Sequence, residues 1–91
     1  MKTNIITRTN DLIELIESDE TKSYYGPVST ICTMLAEYIG VEQASMSDGL
    51  KYATYECMLT SSYYLEVNYE YLPPTQVVRV LRSIVEILNN L

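Results

Sequence analysis

The chain has no histidine, no tryptophan and no phenylalanine. Without histidine it lacks the usual general base at neutral pH and the commonest zinc ligand. Its two cysteines, Cys32 and Cys57, are too few for a zinc cluster or a disulfide framework. With three glycines there is no Gly-rich loop to cradle a phosphate. Bases are scarce as well. Six Lys and Arg against twelve Asp and Glu give a formal net charge of −6, which disfavours direct binding to nucleic acid. No apolar run approaches the ~20 residues that span a bilayer. The opening MKTNIITRTNDL lacks the apolar stretch of a signal peptide, so the expected compartment is the cytoplasm, with no membrane partner.

Ninety-one residues leave room for one domain, 1–91, and 47% of them are apolar, enough for a single core. A domain of this size carries modest stability, on the order of 5–10 kcal/mol, and association would add to it.

The periodicity predicts a mainly α domain of four helices, near 11–19, 27–39, 47–70 and 74–90. The opening Thr3–Thr9 is rich in β-branched residues and reads as an extended arm or a short strand near 3–8. Asn10 is the expected N-cap of the first helix, with Asp11 and Glu14 in its first turn. Pro27 suits the first position of the second helix, and Gly40 the left-handed residue that ends it. Val28, Ile31, Cys32, Leu35, Tyr38 and Ile39 recur between them at helical spacing.

Ser45 or Ser47 is the expected cap of the third helix. Met46, Leu50, Ala53 and Cys57 lie on one face of it; Asp48, Tyr52, Tyr55, Glu56, Leu59 and Tyr63 lie on the other. Continued to 70, that helix would turn Tyr64, Asn68 and Tyr71 inward. Residues 63–71 also alternate as a strand would, and that alternative stands beside the helix. Leu72-Pro73-Pro74 stops either one. In the last helix Val77, Leu81, Ile84, Leu88 and Leu91 form a stripe that Val78, Val80, Val85 and Ile87 widen to about half the circumference. A stripe that wide serves a central bundle helix or a subunit interface.

No catalytic constellation emerges. Cys32 and Cys57 both fall on apolar helical faces, where cysteine acts as a small hydrophobe, and neither has a His to activate it. The expectation is no enzyme, no catalytic residue, no metal and no cofactor.

The placement of charge says more than its sum. Residues 11–70 hold eleven acids against Lys22 and Lys51, a balance of −9, while the two ends are basic. Seven of the nine tyrosines lie from Tyr38 onward, several beside acids, as in Glu37-Tyr38, Tyr55-Glu56 and Tyr69-Glu70-Tyr71. Tyrosine offers rigid apolar area with a polar tip, and carboxylates steer a partner. Acids three or four residues apart on a helix rise by roughly 4.5–6 Å, a pitch near that of phosphates along one nucleic-acid strand. Asp11, Glu14 and Glu17 have that spacing, and so do Glu66 and Glu70 if the third helix continues through them.

The acid run NDLIELIESDE and the acid–Tyr stretch KYATYECMLTSSYYLEVNYEYLPP resemble small early phage proteins that block host restriction, the acidic DNA-mimic anti-restriction proteins. The resemblance implies a dimeric acidic decoy in the host cytoplasm, aimed at a restriction nuclease or a nucleoid protein. Its phosphate-mimicking positions would be Asp11, Glu14, Glu17, Asp19, Glu20, Glu56, Glu66 and Glu70. A homodimer built through Val77, Val80, Leu81, Ile84, Ile87 and Leu88 would double the acidic face. The competing expectation is a helical adaptor, antitoxin or immunity-like protein that grips one partner through an apolar surface anchored by Tyr52, Tyr55 and Tyr63.

Overall fold

The computed structural model describes all 91 residues as four helices with short connections: α1 (Lys2–Ser18), α2 (Tyr25–Gln43), α3 (Gly49–Asn68) and α4 (Pro74–Asn89). A single 3-10 turn, Tyr69–Tyr71, follows α3. The mainly α four-helix reading of the sequence is the fold. Each helix packs against its two neighbours, α1 on α2 and α4, and α3 on α2 and α4. Pairings across α2 and α3 run in opposite directions, from Tyr24 with Tyr69 to Cys32 with Ser62 and Tyr38 with Tyr55. Such short connections favour antiparallel neighbours. The result is an up-down-up-down bundle of 43 × 23 × 18 Å.

Two stacked layers make the core. One joins Leu12, Ile13 and Ile16 to Val28, Ile31, Cys32, Leu65, Val77, Val78 and Leu81. The other joins Ile5 to Leu35, Tyr38, Ile39, Tyr55, Met58, Ile84 and Leu88. Burying an aliphatic side chain of this kind contributes about 1.5–3 kcal/mol.

Ile5 explains the first departure from the sequence reading. Residues 3–8 are not a strand or an arm; they are the opening turns of α1, which begins at Lys2. Ile5, Thr9, Leu12, Ile13 and Ile16 share one buried face, and burial outweighs the β preference of the Thr and Ile residues. The Thr9 hydroxyl donates to the Ile5 carbonyl at 2.7 Å, so its polar atom enters the core already paired. Asn10 is therefore mid-helix and caps nothing, and Asp11 and Glu14 are not in the first turn.

α2 is longer than expected at both ends. Pro27 sits third in the helix, still within the turn whose N–H groups have no intrahelical partner. Gly40 does not end it. No glycine has a positive φ, and the helix continues three residues beyond Gly40.

α3 is capped by Asp48, not by Ser45 or Ser47. Its carboxylate accepts from the backbone N–H of Leu50 at 2.9 Å and of Lys51 at 3.2 Å. Residues 63–68 are helical, which removes the strand alternative.

The inward face of α3 is also not the expected one. Tyr55, Met58, Ser62 and Leu65 are buried, whereas Leu50, Ala53 and Cys57 face solvent, as do Tyr64 and Tyr71. Ser62 is tolerated inside because its hydroxyl donates to the Leu59 carbonyl and its own carbonyl accepts the Cys32 thiol at 3.3 Å.

In α4 the wide stripe is core. Val77, Leu81, Ile84 and Leu88 are buried within the monomer, and Val80 and Ile87 are half-buried against the two core layers. The stripe is wide because α4 lies against both α1 and α3. Four of the six residues expected at a dimer interface are thus committed inside one chain.

Candidate binding surfaces

The eight acids expected to imitate phosphates do not form one row. Asp11, Glu14 and Glu17 follow a three-residue step, and each step turns about 60° short of a full circle, so the series winds around α1. Asp11 borders a shallow groove between α1 and α2 alongside Arg8 and Thr30. Glu14 is exposed. Glu17 faces α4, where the Arg82 guanidinium donates to both carboxylate oxygens at 2.8 Å. Asp19 accepts from the backbone and hydroxyl of Thr21, which holds its carboxyl below the ordinary range, and Lys22 stands 3.9 Å away. Glu56 accepts from the Gln43 amide at 3.0 Å. It lies ten residues before Glu66, about 15 Å along the helix.

Three acids do converge. Glu20 comes from the α1–α2 connection, Glu66 from the last turn of α3, and Glu70 from the 3-10 turn. All three border one open cleft of about 650 Å³ at the end of the bundle. The antiparallel chain path brings them there, since the α1–α2 and α3–α4 connections both sit at that end. Tyr24, Tyr25 and Tyr69 line the same cleft.

The aromatic side of the cleft is tightly tied. The Tyr24 backbone N–H donates to the Tyr69 hydroxyl at 2.7 Å, and the Tyr24 hydroxyl donates to the Asp19 carbonyl at 2.8 Å. Loss of hydration raises the Tyr24 phenol pKa, and the nearby Asp19 charge raises it further. The Tyr25 and Tyr69 rings meet edge to face with centroids 5.8 Å apart. Glu66 is steadied by Ser29, whose hydroxyl donates to it at 3.2 Å. Carboxylates beside ring faces suit a cationic side chain, accepting its N–H groups while the rings attract its charge. Lys22 is the one cation bordering the cleft.

None of Tyr24, Tyr25 and Tyr69 was among the expected aromatic anchors. The sequence signal lay in punctuation: Tyr24-Tyr25 precede Gly26-Pro27, and Tyr69 and Tyr71 precede Pro73-Pro74. The chain reverses at both places, and the reversals meet. Of the anchors that were expected, Tyr55 is 4% exposed, its hydroxyl 3.4 Å from that of Tyr38 inside the core layer they share with Ile5, so it cannot grip a partner. Tyr52 and Tyr63 are exposed on one side of α3, three turns apart.

The cysteines divide likewise. Cys32 is buried, and burial pushes its thiol up to about 12, with the Glu66 charge adding to the shift. Cys57 is exposed, against the expectation that both thiols face inward. No helix is long and apolar enough to cross a membrane. No protein-family profile matches the chain, and neither a curated protein nor a solved structure is significantly similar to it.

Proposed function

We propose that the protein is an acidic decoy, a DNA-mimic inhibitor that occupies the nucleic-acid-binding surface of a basic protein such as a host restriction nuclease or a nucleoid protein. The observation that carries this reading is the convergence of Glu20, Glu66 and Glu70 with Tyr24, Tyr25 and Tyr69 around one cleft, in a chain of net charge −6. The carboxylates stand in for phosphates and the tyrosines for the stacked, partly apolar body of the bases. The mimicking surface is thus a compact pole, with Asp11 and Glu14 as outlying charges, and the ion-paired Glu17 contributes little.

The mechanism is competitive. Arginines and lysines that would neutralise phosphates close on the pole instead, and the complex weakens as salt rises. The test is capture of basic proteins from a bacterial lysate on immobilised protein, eluted by a salt gradient with and without duplex DNA. Capture that salt and DNA both reverse, and that the combined Glu20→Gln, Glu66→Gln, Glu70→Gln variant loses, supports the decoy. Capture indifferent to salt, to DNA and to those substitutions would sink it.

A second reading, an adaptor or immunity-like protein gripping its partner by apolar contact, draws on the exposed Tyr52 and Tyr63 of α3. It requires partner binding that survives high salt and fails when those tyrosines are truncated.

A further inference from the structure

Six of the ten exposed large hydrophobic side chains lie on α3 or just after it, while the other four are scattered singly. The clustering has a period. Leu50, Ala53, Cys57, Thr60, Tyr64 and Val67 alternate steps of three and four residues, and all six are exposed. This is the spacing of a helix–helix seam. It lies on the side of α3 opposite the buried Tyr55, Met58, Ser62 and Leu65, so the helix carries two apolar stripes and the bundle uses one. Leu50 is 80% exposed, Val67 56% and Tyr64 46%.

We infer that a second copy of this chain covers the outer stripe, with the two α3 helices antiparallel about a two-fold axis between residues 58 and 59. In that register Leu50 meets Val67 of the second copy, Ala53 meets its Tyr64, and Cys57 meets its Thr60. A large side chain faces a small one at the Ala–Tyr layers, and two small ones face each other at the centre. An isologous contact requires such self-complementarity, which a foreign helix would match only by coincidence.

Charge agrees with the register. Glu56, the acid flanking the stripe, lies beside Tyr63 of the second copy, whose hydroxyl can donate to it. Sliding by one heptad either sets Glu56 against Glu70 of the second copy or strips Tyr64 and Val67 of their partners. The size agrees too. Residues 50–67 span about 25 Å of helix. Leu50, Tyr64 and Val67 of the stripe, with the flanking Tyr63, expose on the order of 500 Å² per chain, so the pair would bury about 1,000 Å², the lower bound for a specific interface.

Val67, at the end of the stripe, also borders the acidic cleft, but Glu20 and Glu66 lie off the stripe, so the inference does not depend on the decoy reading. The antiparallel pairing points the two acidic poles to opposite ends of the dimer and places Cys57 near its own symmetry mate.

Sedimentation velocity across a concentration series tests it on the full chain, with Ala53→Glu as the variant. Ala53 is exposed, so the substitution leaves the helical circular dichroism unchanged. It buries a carboxylate against Tyr64 twice per dimer and weakens dimerisation by about 100-fold or more. A short bis-maleimide, applied to the wild-type chain, joins Cys57 to Cys57, and Cys57→Ser abolishes the product. The Glu20→Gln, Glu66→Gln, Glu70→Gln variant stays dimeric while losing capture of basic proteins, which separates failure of the decoy from failure of the dimer. A chain that stays monomeric to millimolar concentration overturns the inference. So does a dimer indifferent to Ala53→Glu, or one in which Cys57 does not cross-link.

Discussion

α3 and α4 are neighbours of similar length that use their apolar residues in different ways. α4 has one broad stripe, and the structure buries its centre between α1 and α3, leaving only Val80, Ile87 and Leu91 at its edges half-buried. Its other side is Arg79, Arg82, Ser83, Glu86, Asn89 and Asn90, all facing solvent. α3 has two narrow stripes on opposite sides. The inner one contains a serine and a tyrosine and is core; the outer one contains leucine, valine and tyrosine and is not. Apolar character alone therefore does not decide which face of a helix goes inside. Register decides it. Tyr55 meets Tyr38 hydroxyl to hydroxyl, and Ser62 meets the Cys32 thiol, so the inner stripe is fitted to α2 atom by atom. The outer stripe has no such fit within the chain.

Truncation gives the largest separation between these faces. Leu81→Ala in α4 and Met58→Ala on the inner face of α3 each remove a fully buried side chain, and each should cost about 2–5 kcal/mol in urea unfolding. Leu50→Ala on the outer face should change monomer stability by no more than about 0.5 kcal/mol. Equal losses at Met58 and Leu50 would erase the distinction between the two stripes.

Alkaline pH separates the cysteines next. The folded chain holds the Cys32 proton up to about 12, whereas an unfolded thiol releases it from about 9.0. Stability from this group is complete below pH 9 and declines as pH rises through that window, because the unfolded chain gives up its proton first. Tyr38, whose phenol is pushed up by burial and then by Tyr55, adds a loss of the same sign above pH 10. Urea midpoints between pH 8 and 10 should fall for the wild type and flatten for Cys32→Ala. At pH 8 a thiol reagent should modify Cys57 faster than Cys32 by a factor on the order of 100 or more.

A smaller effect sharpens the contrast between tyrosines. Tyr55→Phe deletes the hydroxyl that partners Tyr38 and should cost about 1 kcal/mol, while Tyr52→Phe should cost nothing measurable. Smallest of all is Arg82→Ala. The Arg82–Glu17 pair joins α4 to α1 with good geometry, yet both side chains are about half exposed, so its loss should cost a few tenths of a kcal/mol that added salt removes.

The contrast also shows how much was legible in the sequence. α4 could be read almost to the residue, because Pro73-Pro74 fixes its start and one polar face leaves one choice for the core. The centre of α2 could be read for the same reason. α1 could not be read at its start: Thr3, Ile5, Ile6, Thr7 and Thr9 carry strand preference, and only the burial of Ile5, in the core layer with Leu35 and Leu88, and of Thr9 makes them helix. α3 could be read as a helix but not oriented, since two stripes offered two answers and the more hydrophobic one was the wrong one. The acidic pole was legible in its parts but not in its assembly. Glu20, Glu66 and Glu70 were each evident as acids; that they meet beside Tyr24, Tyr25 and Tyr69 depends on antiparallel hairpins closing at the same end.

The measurement that bears most directly on the proposed function is the salt dependence of binding to one basic, DNA-binding protein recovered on the immobilised chain. The decoy account predicts that the logarithm of affinity falls steeply with the logarithm of salt concentration, that duplex DNA competes, and that Glu20→Gln, Glu66→Gln, Glu70→Gln flattens the slope. Affinity that is level from low to high salt, ignores DNA, and collapses with Tyr52→Ala or Tyr63→Ala would contradict it and place the working surface on α3.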